Sequence, residues 1–290
     1  IKFKAEVFDK RWVPAVEAAF AWHARHERYF RNTANLAQVA MMQSVQTSSN
    51  YSSGGTPSYE PVTAMTAGGN EPSLNGCYQA LLEARVPFSL VDDRELDQAV
   101  LRRYKTIVLP NIAALSEGQC ASIRDYVANG GSIVATGETS LYDELGAERK
   151  NFGLSDLFGC DYAGRVDRKV ANSYISIDAP HPLTTGLDDT RRIVGGTRLV
   201  HVTPRPDEPR LPLRLIRSYP ELPAEAAYPR EAPSDVPMAY AQSFGKGRVV
   251  YFPFNLDQAF WEESARDHLY LLRNAVSWAM GEPQPMTVTG

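Results

Sequence analysis

Several residue types that announce chemistry are scarce or badly placed in this 290-residue sequence. Cysteine occurs three times, as Cys77, Cys120 and Cys160. That is too few and too irregular for a disulfide framework or a zinc site, so the thiols are expected to be reduced. The five histidines, His23, His26, His181, His201 and His268, show no HExxH or other ligand spacing, so no metal and no cofactor is expected. No apolar run approaches the ~20 residues that span a bilayer, and "IKFKAEVFDK" is not a hydrophobic signal segment, so a membrane partner is not expected. Charge of one sign is also lacking. Thirty basic against 34 acidic residues give a formal net charge of -4 with no basic patch, which argues against nucleic acid as a partner.

What is present is a core-forming composition, 43% hydrophobic, arranged as alternating strands and helices. The spacing predicts a helix over Pro14 to Asn32 and a buried strand in "LAQVAMMQSV". About 28 residues of Ser, Gly, Thr and Pro follow, from Gln46 to Ser73, and read as a long loop or lid. Next come a helix from Asn75 with that residue as N-cap, a strand in "PFSLVDD", a short helix in "LDQAVLRRY" and a strand in "KTIVLPN". The helix "SEGQCASIRDYVANGG" is capped by Ser116 and ended by Gly130 and Gly131, and the strand "SIVATGE" runs into a helix over "SLYDELG". Strands alternating with helices in this way predict a mostly parallel sheet with helices on both faces. The second half is strand-rich and punctuated by Pro and Gly, with a hairpin at Gly245-Lys246-Gly247, before a last amphipathic helix carrying Leu269, Leu272, Val276 and Met280 and stopped by Gly281.

The segments "YKTIVLPN...LSE", "YVANGGSIVATGE" and "GKGRVVYFPFNLDQAFW" make the chain resemble the trimerisation domain that follows the catalytic barrel in β-galactosidases of glycoside hydrolase family 42 and in related glycosidases. The resemblance implies an α/β, flavodoxin-like fold of the class I glutamine amidotransferase type. It implies that residues 1–35 are the last helix of a preceding barrel, 36–281 the amidotransferase-like domain, and 282–290 the start of a C-terminal β domain. It also implies a piece of a longer chain, since Ile1 is not an initiator methionine. The expected partners are a barrel of the same protein and further copies of the chain. The catalytic glutamates of such a protein belong to the barrel, so no catalytic residue is expected here.

Candidate site residues follow from position in this fold. In amidotransferases the turn after the strand matching "GGSIVAT" holds a nucleophilic cysteine, whereas here it reads Thr136, Gly137, Glu138, Thr139, Ser140, with no cysteine and no Gly-x-Ser-x-Gly frame around Ser140. Glu138 and Thr139, with Asn111 on the neighbouring strand end, lie where α/β sheets bind small molecules. For Glu138 the plainer reading, a cap on the next helix or an ion pair, is favoured. Cys77, near a helix start, is expected to pack, and the His23/His26 pair, which could share a ligand, is expected to be solvent-exposed or packed between domains. By position in the resembled family, Asn255, Asp257 and Trp261 would help wall a neighbouring subunit's sugar site, with Trp261 stacking on carbohydrate. The chain therefore reads as a non-catalytic oligomerisation domain of a glycoside-hydrolase-like protein, or alternatively as a small-molecule-binding or hydrolytic domain centred on Glu138.

Overall fold

A computed structural model describes residues 10–31, 35–51, 70–206, 211–219, 223, 226 and 231–283. Contacts divide the chain into two units, Ile1–Leu36 and Ala37–Gly290. The first holds helix α1 (Val13–His26), continued by a single 3-10 turn, Glu27–Tyr29. Pro14 in its first turn suits a helix start. His23 stacks on Phe30 at 5.2 Å and His26 lies 4.5 Å from Trp22, so both imidazoles have aromatic neighbours within their own segment.

The second unit is built on a six-stranded sheet. Its strands are β1 (Val39–Gln43), β2 (Phe88–Asp92), β3 (Thr106–Leu109), β4 (Ser132–Thr136), β10 (Tyr240–Phe244) and β11 (Gly247–Phe252), in the spatial order β10-β11-β4-β3-β1-β2. All neighbours are parallel except β10 and β11, which form the expected hairpin. β1 lies between β2 and β3, and this reversal of strand order is the topological switch point of a flavodoxin-like sheet.

The inner strands β1, β3 and β4 are largely apolar because both faces are covered. Val39, Met41, Val108, Val134, Val250 and Phe252 point to one core, while Ala40, Met42, Ile107, Ile133, Val249 and Tyr251 point to the other. On the first face lie α3 (Glu71–Glu83), α7 (Leu256–Glu263) and α8 (Arg266–Met280), which contribute Cys77, Phe260 and Leu272 among others. The second face is covered by α5 (Glu117–Ala128) and α6 (Ser155–Phe158) through Ile123, Val127 and Phe158. Short helices α2 (Val45–Asn50) and α4 (Gln98–Leu101) complete the helical set among the described residues. The strand-rich insertion between β4 and β10 forms a two-stranded ladder, β5 (Cys160–Asp167) with β8 (Leu199–Pro204), and a three-stranded sheet of β7 (Arg192–Val194), β6 (Tyr174–Ile177) and β9 (Leu213–Ile216).

Three local expectations are corrected. The Ser/Gly-rich stretch is not all loop: Ser44 caps α2 by accepting the Thr47 N–H at 2.9 Å, and residues 52–69 lie outside the described residues. α3 begins at Glu71, so Asn75 sits inside the helix; the N-cap is Asn70, whose side chain donates to the Pro110 carbonyl instead, and Pro72 supplies the helix start. "SLYDELG" forms no helix, because the Asp143 carboxylate accepts the Leu145 and Ala147 N–H groups and holds a turn in place of the first helical bonds. Strand β5 and helix α7 had no counterpart in the periodicity reading. By contrast, Ser116 caps α5 in a full capping box with Gln119, and Gly281 ends α8 in the left-handed conformation. The segment 284–290 is outside the described residues.

Candidate functional site

The C-terminal edge of the sheet is organised by the turn after β4. Gly137 and Ser140 both have positive φ, +59° and +62°. A Cβ on Gly137 would sit 2.6 Å from Asn111 Oδ1, so this position needs both the conformational freedom and the small size of glycine. Asn111 (φ +46°) accepts the Glu138 N–H on its Oδ1 at 2.8 Å, and its own N–H donates to Thr136 Oγ1 at 2.9 Å. The two strand ends are thereby tied together, and Glu138 is aimed across the edge.

The Glu138 carboxylate is 3% exposed and saturated. Tyr51 donates to Oε1 at 2.5 Å and Tyr142 to Oε2 at 3.0 Å, while the Arg168 guanidinium forks onto both oxygens at 3.2 and 3.0 Å. Four donors fill the roughly four lone-pair positions of a carboxylate. Arg198 adds a second cation, 3.9 Å from Oε1, and donates to the Tyr51 hydroxyl at 3.2 Å. Burial, reinforced by the Glu138 charge, pushes the Tyr51 hydroxyl up to about 12 against the pull of Arg198. Burial and then Glu138 push Tyr142 up as well. Both phenols are therefore donors at neutral pH, matching the acceptor-only carboxylate between them. A proton-transfer role for Glu138 would require one of these donors to leave.

The other expected residues join the same network. Thr139 is fully buried, with its hydroxyl donating to the Thr136 carbonyl at 2.7 Å. Asn255 accepts the Arg198 N–H at 2.9 Å and donates to Thr197 Oγ1 at 3.0 Å. Asp257, also fully buried, accepts from Thr136 Oγ1 at 2.5 Å and from the Gln258 N–H at 2.8 Å. Only Trp261, 46% exposed on α7, stands outside. Asn111, Glu138, Thr139, Asn255 and Asp257 thus share one buried set of hydrogen bonds. Tyr51, Tyr142, Arg168 and Arg198 also belong to it and were not anticipated, since no periodicity or spacing relates them to Glu138.

Among the described residues no thiol or serine hydroxyl at this edge is set up for nucleophilic attack. Ser140 is buried and accepts the Leu154 N–H at 3.1 Å. Burial raises the Cys120 thiol to about 11. Cys77, whose Sγ lies 3.9 Å from Asp257, is raised by burial and then by that carboxyl. Among the described residues no group of His, Cys, Asp or Glu could hold a metal ion, and no helix is long and apolar enough to cross a membrane.

Asp257 provides a pH test of the network. Burial outweighs its hydrogen bonds and raises its carboxyl above the ordinary value of 3.8. Below that value both folded and unfolded states are protonated. As pH rises above it the unfolded chain ionises first, so stability is lost until the folded carboxyl has titrated too. Urea unfolding at a series of pH values is expected to show this loss in the native chain and its absence in Asp257→Asn, so the variant gains on the native protein from about pH 4 upward. A pH-independent difference between the two would contradict it.

Solved structures share this fold at low identity. Alpha-L-fucosidase isoenzyme 2 from Paenibacillus thiaminolyticus superposes with a TM-score of 0.66 at 20% identity, over 95% of this chain and 37% of its own. The cold-adapted β-galactosidase from Rahnella sp. R3 gives 0.66 at 16% identity, over 95% and 36%. A cytoplasmic protein from Salmonella typhimurium gives 0.51 at 15% identity, over 70% of this chain and 85% of its own. The chain therefore spans little more than a third of the two glycosidases it resembles, and at such identities the likeness is one of fold. No curated protein matches the sequence. The family described as ThuA, trehalose utilisation, matches residues 62–279, which takes in every strand of the central sheet except β1. The chain belongs to the ThuA family.

Proposed function

We propose that this chain is a non-catalytic accessory and oligomerisation domain of a larger glycoside-hydrolase-like protein acting in carbohydrate metabolism. The observation that carries this reading is the coverage: nearly all of the chain is matched within glycosidases of which it spans about a third. The family's description, trehalose utilisation, agrees with a carbohydrate setting. The saturated Glu138 also agrees with it, because a carboxylate with every lone pair engaged serves a scaffold better than a reaction.

A face suited to self-association lies at the β2 edge of the sheet. Tyr78 and Leu82, one turn apart on α3, are 44% and 53% exposed, and Leu90 on β2 is 49% exposed. The Tyr78 ring meets Phe88, two residues before Leu90, at 5.3 Å edge to face. Exposed apolar side chains on and beside an edge strand are a combination that mediates association between copies. Sedimentation velocity of the chain is expected to show concentration-dependent association. Leu82→Glu with Leu90→Lys should abolish it while moving the thermal midpoint little, since both side chains are solvent-facing. A native chain that stays monomeric at every concentration would count against oligomerisation. Trp261 presents an exposed ring that can stack on carbohydrate, and Trp261→Ala in the longer protein is expected to weaken sugar binding; unchanged affinity removes that part of the reading.

A further inference from the structure

A second polar region shares only Arg168 with the buried network and none of its lining residues with the β2 edge. A cleft of about 370 Å³ opens between the β5–β8 ladder and the three-stranded sheet. Arg165, Arg168 and Lys169 line it from the end of β5, His201 from β8, and Arg217 and Ser218 from the residues after β9. Its volume is that of a small-ligand site.

The charges in this cleft do not balance. The one carboxylate among its described lining residues, Asp167, is held by Arg165 Nε at 2.7 Å and His201 Nε2 at 2.8 Å. Burial opposes ionisation of Asp167, but those two partners prevail and keep its carboxyl below the ordinary range. Arg168 is turned toward Glu138 behind the wall. Lys169 and Arg217 remain, both exposed, and neither makes an ion pair with any described residue. The Ser218 hydroxyl is likewise unbonded among the described residues. Two uncompensated cations facing one concave space focus positive potential there, and an anion between them relieves their repulsion. Beneath them Val170, Leu199 and Leu215 give the cleft an apolar floor.

We propose that this cleft binds the phosphate group of a small phosphorylated ligand, with the ligand's carbon skeleton on the apolar floor. A phosphate monoester carries close to two negative charges at neutral pH, matching the two free cations. Its oxygens suit the guanidinium fork of Arg217, the Lys169 ammonium and the Ser218 hydroxyl. A monoanionic carboxylate would leave one positive charge unmatched.

Titration calorimetry of the full chain at low ionic strength tests this with glucose 6-phosphate, inorganic phosphate, glucuronate and glucose. Both phosphates are expected to bind saturably, and more weakly as salt is added. Glucose 6-phosphate should bind about tenfold or more tightly than glucuronate, and glucose should not bind. Lys169→Ala with Arg217→Ala should weaken glucose 6-phosphate binding at least about tenfold, whereas Lys150→Ala, at an exposed lysine outside the cleft, should leave it unchanged. Lys169→Glu alone provides a second variant if the double variant proves unstable, and thermal unfolding of each verifies the fold. Absence of saturable phosphate binding, equal binding by the double variant, or glucuronate binding as tight as glucose 6-phosphate would overturn the assignment. Phosphate binding is measured on a single chain, so its failure is distinct from a failure of self-association.

Discussion

Glu138→Gln is expected to destabilise the domain by about 3 kcal/mol, because it leaves two arginines on one buried site without their counter-ion. For a domain of this size that corresponds to a fall of roughly 6 to 12 °C in the thermal midpoint. The figure sits at the low end of the range for broken buried pairs because Arg168 keeps 31% of its side chain in solvent and recovers part of its hydration, whereas Arg198, at 10%, does not. The amide also presents an N–H₂ group where the carboxylate accepted, opposing a tyrosine hydroxyl or the Arg168 fork. Pairing Glu138→Gln with Arg168→Met should recover part of the loss, giving a coupling on the order of 1 to 3 kcal/mol in a double-mutant cycle. A Glu138→Gln protein of unchanged stability would mean that the four donors do not depend on the carboxylate. The alternative reading, a ligand-binding centre at Glu138, would then be the one to pursue.

Gly76→Ala is expected to be at least as damaging, although alanine is the better helix former. Gly76 lies within α3, and a Cβ built there would stand 1.9 Å from the Asp257 carbonyl oxygen and 2.7 Å from its carbon. Both obstacles are backbone atoms of α7, so relief requires a shift of the whole helix. That shift would disturb Asp257, whose carboxyl is engaged by Thr136, and Asn255, which holds Arg198. The helix-propensity gain of ~1 kcal/mol is outweighed by an overpacking cost of about 3 kcal/mol or more. The control is Gly118→Ala on α5, where an added Cβ meets only Ser116 Oγ at 3.9 Å. There the propensity term acts alone, and thermal unfolding should show a gain of about 0.5 to 1 kcal/mol. Two glycine-to-alanine changes within helices are thus expected to have opposite signs. If they moved the midpoint in the same direction, the close crossing of α3 and α7 would be wrong.

The elements legible in the sequence were those whose signals are local. The runs that became β1, β3, β4 and β11 are continuous and apolar because each strand is covered on both faces. Ser116 and Gln119 stand at the spacing a capping box requires, and Gly281 stops α8 where left-handed backbone is needed. Alternation of strand and helix then leaves few topologies other than a doubly covered parallel sheet. At the site, Glu138 and Asn111 could be singled out because strand ends at a sheet's carboxyl edge are recognisable positions. The "SLYDELG" helix misled because its composition suits a helix, while Asp143 satisfies nearby backbone N–H groups in a turn.

By itself, the sequence determined the central sheet, the covering helices α3, α5 and α8, and the absence of an amidotransferase nucleophile at the β4 turn, since periodicity, caps and residue identity all act within a few positions. Only the tertiary structure decided what surrounds Glu138. Tyr51 is 87 positions away and Arg168 30, and hydrogen bonds between such distant residues leave no periodic trace in the chain. The same holds for Gly76, whose need for a bare α-carbon arises from a helix almost two hundred residues further on, and for Lys169 and Arg217, which meet in one cleft because two separate small sheets place them there.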